Sequence, residues 1–167
     1  MDKVQLLAEI CALIVEANKF GYAGLGSGHY QKADDGSFRF RHNVHFPKSG
    51  HWEYRDRFVG GEPFGGVIEV SLDRKIIWMM FYHGSVAEEV FPEDKPKVLE
   101  FLQAALRKAP SEFPCRGPEH FQQGPFQYRN DWFGQLDRFN GSEVIRDFKD
   151  PVFHCNYVGG LVDQRPD

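Results

Sequence analysis

The chain has 167 residues, of which 41% are hydrophobic and 26% charged, with a net charge of −4. That length suits one domain and buries about 70% of the unfolded surface, enough for a core without disulfide or metal staples. The balance excludes wholesale disorder, and the acidic sign argues against a general nucleic-acid binder.

The first predicted element is a helix from about Lys3 to Lys19. Its apolar residues form two rows, Val4-Leu7-Cys11-Ile14 and Leu6-Ile10-Leu13-Ala17, at helical spacing. Asp2 with Gln5 supplies a start signal, and Gly21 sits where a closing glycine belongs. Gln5, Glu9 and Glu16 interrupt the stretch from Val4 to Ala17, which spoils both a secretory signal core and a membrane span. Gly24, Gly26, Ser27 and Gly28 follow a helix and lead toward strands, the reverse of a phosphate-cradling loop, so they read as a flexible connector.

From Ser37 the period changes to two. Phe38, Phe40, Val44 and Phe46 alternate with Arg39, Arg41 and His45. After a link at Pro47 to Gly50, a second strand runs His51 to Val59, with Trp52, Tyr54 and Phe58 on one face and Glu53, Arg55 and Arg57 on the other. A glycine-rich corner from Gly60 to Gly66 precedes a third strand, Val67 to Leu72, and Asp73-Arg74 makes a hairpin turn. The fourth strand, Lys75 to His83, is apolar on both faces, as expected of a strand covered on both sides. A second helix is predicted from about Pro92 to Lys108, then strands at Phe126 to Phe133, Glu143 to Phe148 and Val152 to Val158. The tail from Asp163 to Asp167 is polar and expected to fray.

The two halves align. With Tyr54-Arg55 over Tyr128-Arg129, Phe58 falls on Trp132 and Gly60 on Gly134; one inserted residue later, Phe64 falls on Phe139 and Gly66 on Gly141. Trp78, Met80, Tyr82 and Gly84 then match Phe153, Cys155, Tyr157 and Gly159. The fold expected is α+β: one domain over residues 1–167, a mainly antiparallel sheet of about 6–8 strands with two helices, as a tandem pseudo-repeat of halves at about 1–91 and 92–162. The cleft between such halves is the natural place for a ligand.

Three widely spaced cysteines, Cys11, Cys115 and Cys155, suggest reduced thiols and a cytoplasmic setting. His42, His45 and His51 lack a matched carboxylate or thiol, so no metal site is expected. There is no G-x-S-x-G, H-E-x-x-H or Walker loop, and no cofactor is expected.

Asp56 is the most informative residue, because strand parity places it among Trp52, Tyr54 and Phe58, where a carboxylate is costly unless paired. Glu62, in the glycine corner, and Glu69, in the third strand, add two acids nearby. The leading reading is an effector-like domain that binds a small organic molecule, cationic or aromatic. Trp52, Tyr54, Trp78 and Tyr82 would form its walls, and Asp56 or Glu69 would orient a polar group. One alternative is a small hydrolase or isomerase using Asp56, Glu62 or Glu69 as general base. Another is a protein-interaction module exposing its aromatic face, with a homodimer as one outcome. Basic and aromatic residues fall on opposite strand faces, which argues against a nucleic-acid platform.

The run Trp52-Glu53-Tyr54-Arg55-Asp56-Arg57-Phe58-Val59-Gly60-Gly61-Glu62-Pro63-Phe64 resembles an uncharacterised bacterial domain family. The likeness continues through Ile77-Trp78-Met79-Met80-Phe81-Tyr82-His83-Gly84 and Cys115-Arg116-Gly117-Pro118. That family occurs alone and behind Xre-type helix-turn-helix regulators. The resemblance implies a sensor-like or accessory domain without direct DNA recognition, and it assigns no site residues.

Overall fold

The computed structural model describes residues 1–46 and 49–163. Two expectations therefore lie partly outside the described residues: the link at Pro47 and Lys48, and the tail from Gln164 onward.

Helix α1, Lys3–Asn18, starts at Asp2, whose carboxylate accepts from the Gln5 amide at 2.9 Å and so satisfies a first-turn donor. Ile10, Leu13, Ile14 and Ala17 turn inward. Gly21 donates its amide to the Ala17 carbonyl of α1 at 2.8 Å and also opens a single turn, α2, Tyr22–Leu25, and a 3-10 turn at Ser27–His29 follows. The second long helix, α3, covers Lys95–Leu106 with Pro96, not Pro92, in its first turn. The glycine-rich stretch is more than the flexible connector expected, because α3 ties down its carbonyls. Gln103 Nε2 donates to the Tyr22 carbonyl at 2.8 Å, and Arg107 Nε donates to that of Ala23 at 2.7 Å.

The strands are β1, Gln31–Lys32; β2, Phe38–Phe46; β3, Gly50–Val59; β4, Phe64–Leu72; β5, Lys75–Val86; β6, His120–Gln123; β7, Phe126–Gln135; β8, Arg138–Asp147; and β9, Asp150–Leu161. They form one antiparallel sheet of nine strands in the order β1-β2-β3-β4-β5-β9-β8-β7-β6. The count exceeds the expected six to eight, because the two edge strands β1 and β6 span only 2 and 4 residues and carry too little alternation to read.

Even-numbered residues of β5 serve both cores, so both long helices lie on one face of the sheet. Trp78 and Met80 pack with Trp52, Val70 and the inward face of α1. Val86 packs with Tyr128, Ile145, Phe153 and the inward face of α3. Trp52 and Trp78 are fully buried; burying a side chain as large as Phe is worth about 3 kcal/mol. Their indole N–H groups are satisfied, Trp52 donating to Ser49 Oγ at 3.1 Å and Trp78 to the Leu136 carbonyl at 2.8 Å. The expectation that β5 is covered on both faces is corrected. Phe81 is 51% exposed on the far face, beside its cross-strand neighbour Val158 at 53%. An apolar strand face need not be a covered one.

β5 and β9 meet about the Tyr82–Tyr157 pair, flanked by Gly84 opposite Cys155 and Met80 opposite Gly159. In the first half Tyr54, Asp56 and Phe58 face Val70, Ile68 and Gly66; in the second, Tyr128, Asn130 and Trp132 face Ile145, Glu143 and Gly141. Register shifts follow Val70 and Ile145. A Cβ on Gly66 would come within 2.4 Å of the Tyr82 ring, and one on Gly141 within 2.3 Å of the Tyr157 ring, so in each half the tyrosine lies across a glycine.

Candidate functional site

A cavity of about 490 Å³ opens where the two cores meet, between the end of α1, α2, β3 to β5, α3 and the loop carrying Pro114, Cys115 and Arg116. That volume falls in the range of small-molecule sites. Asp56 stands in its wall, 6% exposed. Tyr30 donates to Asp56 Oδ2 at 2.7 Å and Tyr82 to Oδ1 at 2.8 Å. Strand parity aims Asp56 inward, and the phenols keep it soluble there. Tyr30 in turn accepts from the Tyr22 amide at 3.2 Å, which fastens α2 to the acid. Tyr54 lines the same cavity, and among the described residues its hydroxyl makes no hydrogen bond.

Burial drives the Asp56 carboxyl above its ordinary range, opposed by the Tyr30 and Tyr82 hydrogen bonds and by the Arg116 charge. Burial and the nearby Asp56 charge also push Tyr30, Tyr54 and Tyr82 upward, so these phenols stay protonated donors.

Arg116 reaches the cavity from the loop after α3 and lies 5.6 Å from the centre of the Tyr82 ring, within cation–π range. Its Nε donates to Glu143 Oε2 at 2.8 Å, and Nη2 bonds the same oxygen. Burial alone would lower the guanidinium's pKa; the Glu143 charge opposes this and prevails, so Arg116 stays a cation. Tyr128 donates to the other Glu143 oxygen and accepts from the Gly117 amide at 3.1 Å. Asn130 donates to the Gly117 carbonyl at 2.8 Å and accepts from Tyr157 at 2.7 Å. Two strands of the second half, β7 and β8, thus hold the Arg116 loop, and Tyr157 of β9 braces Asn130.

The structure brings together Tyr54, Asp56 and Tyr82 of the expected site and separates the rest. Trp52 and Trp78 do not line the cavity; they fill the core beneath α1. Glu69 is on the opposite face of the sheet, 3.9 Å from Arg55, because its position in β4 has the other parity from Ile68. Glu62 turns to the Val86 amide at 2.5 Å, and its second oxygen is enclosed without a partner among the described residues. The expected cluster of three acids is therefore not formed. The sequence reading missed Tyr30 and Arg116. Tyr30 had no periodic segment to place it. Arg116 lay within a run quoted for its family likeness, with no spacing to reveal its direction.

Among the described residues, no group of three or more His, Cys, Asp and Glu is placed to hold a metal ion, and no helix is long and apolar enough to cross a membrane. Residues 56–162, more than half of the chain, match the family model described as a domain of unknown function, DUF5680, and the chain belongs to that family. No curated protein and no solved structure matches it.

Proposed function

We propose that this member of the DUF5680 family binds a small, flat organic molecule in the cavity between its two cores, with Asp56 as the polar anchor. The observation that carries this reading is a buried carboxylate in a cavity wall, held at both oxygens by tyrosines, with a further tyrosine hydroxyl left over. A carboxylate is acceptor-only, so the ligand group it takes is a donor: an N–H, an O–H or a cationic nitrogen. The aromatic stacking surfaces are Tyr22, Phe58, Phe64 and Tyr82.

The paired registers, the matched shifts after Val70 and Ile145, and the two glycine–tyrosine contacts support reading the halves as copies of one unit, one of which keeps an open site. The likeness to domains found behind bacterial helix-turn-helix regulators supports an effector-sensing role. Three free thiols suit a reducing, cytoplasmic setting. The test is native mass spectrometry of gently purified protein. Wild type should carry a small-molecule adduct that Asp56→Asn has lost while remaining folded. An adduct retained in full by Asp56→Asn would refute the anchor.

A second reading, self-association through the outer sheet face, is favoured by the adjacent exposed pair Phe81 and Val158 and by Phe133, 83% exposed. It predicts a homodimer by light scattering that Phe81→Ser dissociates.

A further inference from the structure

We infer that the ligand presents a lactam or cyclic-imide edge, an N–H beside a C=O on a planar ring, to Asp56, Tyr54 and Arg116; this rests on the small-molecule reading proposed for the cavity. Two donors on groups lining the cavity lack protein partners among the described residues. Arg116 spends Nε and Nη2 on Glu143, while its Nη1 has no partner among the described residues and is not sealed from solvent. The Tyr54 hydroxyl is in the same state, although Tyr54 itself is 4% exposed. Its counterpart Tyr128 donates to Glu143, but Ile68 stands where Tyr54 would need that carboxylate. With no protein partner and no seal from solvent, both groups are free to donate to an oxygen acceptor on a ligand.

Asp56 calls for the opposite. Each of its oxygens already accepts one phenol and has a lone pair to spare for an N–H. The donor and acceptor demands are neighbours. Tyr54 and Asp56 point the same way from one strand, and Arg116 covers the ring of Tyr82, whose hydroxyl holds Asp56. Charge chooses among ligands. Glu143 neutralises Arg116 and leaves Asp56 as the net charge, so an anionic ligand would meet a carboxylate. A simple amine cation would leave Tyr54 and Arg116 unused. A neutral N–H beside C=O serves all three.

The experiment is calorimetric titration of wild type and Tyr54→Phe with four bicycles of one size: 2-quinolone, N-methyl-2-quinolone, 2-aminoquinoline and quinoline. Wild type should bind 2-quinolone about tenfold or more tighter than the other three, as expected for losing one or two buried hydrogen bonds. Tyr54→Phe should weaken 2-quinolone about fivefold and leave 2-aminoquinoline and quinoline, which carry no carbonyl, within about twofold. If 2-aminoquinoline or N-methyl-2-quinolone binds as tightly as 2-quinolone, or Tyr54→Phe weakens all four alike, the lactam assignment is overturned while the cavity stands as a small-molecule site. Binding of none of the four while wild type still carries a small-molecule adduct by native mass spectrometry overturns the lactam assignment alone; binding of none with no adduct overturns both.

Discussion

In the second half of the sheet the residue aligned with Asp56 is Asn130, and it belongs to a linked network of side-chain hydrogen bonds. Asn130 holds Tyr157 and Gly117, Tyr128 holds Glu143, and Glu143 holds Arg116. In the first half the same strand positions carry Tyr54, Asp56 and Ile68, and a cavity replaces the loop. Three differences separate these outcomes: Asn130 against Asp56, Glu143 against Ile68 at the paired register position, and a Cys115–Pro118 loop bonded to the second half. On the proposed reading of the halves as copies, one is sealed by what a distant loop brings to it and the other stays open.

That contrast can be tested by substitution. The largest effect is expected at Glu143→Gln, which leaves the buried Arg116 charge uncompensated and should cost about 3–5 kcal/mol in urea unfolding. A loss under about 1 kcal/mol would mean the sealed half does not depend on that pair. Next, the corresponding tyrosines should differ. Tyr128→Phe strips bonds from Glu143 and Gly117 and should cost about 1–3 kcal/mol, whereas Tyr54→Phe removes an unpartnered hydroxyl and should stay within about 0.5 kcal/mol of wild type. Equal costs would erase the distinction between the halves.

A smaller effect is expected at Asp56→Asn, which gives the open half the residue of the sealed one. The amide oxygen can still accept from Tyr82, as Asn130 does from Tyr157, but the amide nitrogen cannot accept from Tyr30, so about 1 kcal/mol should be lost.

The smallest effect is one of pH. Because burial raises the Asp56 carboxyl in the folded state, its favourable contribution is fully present below the ordinary carboxylate range and is lost as pH rises through the raised value. The urea midpoint of wild type should therefore fall relative to Asp56→Asn as pH rises from about 4 toward neutrality. A difference that widens in favour of wild type would mean that the two phenols overcome burial.

Much of the frame was legible in the chain. The period of two over Phe38–Phe46 and the parity of Trp52, Tyr54, Asp56 and Phe58 placed the inward face correctly, because pleating is a local property. Asp2 and Gln5 gave the start of α1 for the same reason. The same logic failed at Glu69 and the tryptophans. Parity shows that Trp52 and Trp78 face inward, but not whether a helix or a cavity meets them there. Phe81 taught the converse, since apolar character on both faces of β5 did not bring a second layer.

The amino-acid order by itself determined which side chains share a sheet face and where α1 begins, since each depends on neighbours along a strand or helix. Only the tertiary structure decided where space remains. Tyr30 meets Asp56 across 26 residues, and Arg116 meets Glu143 across 27. A cavity is a gap between elements distant in the chain, and no local spacing encodes it.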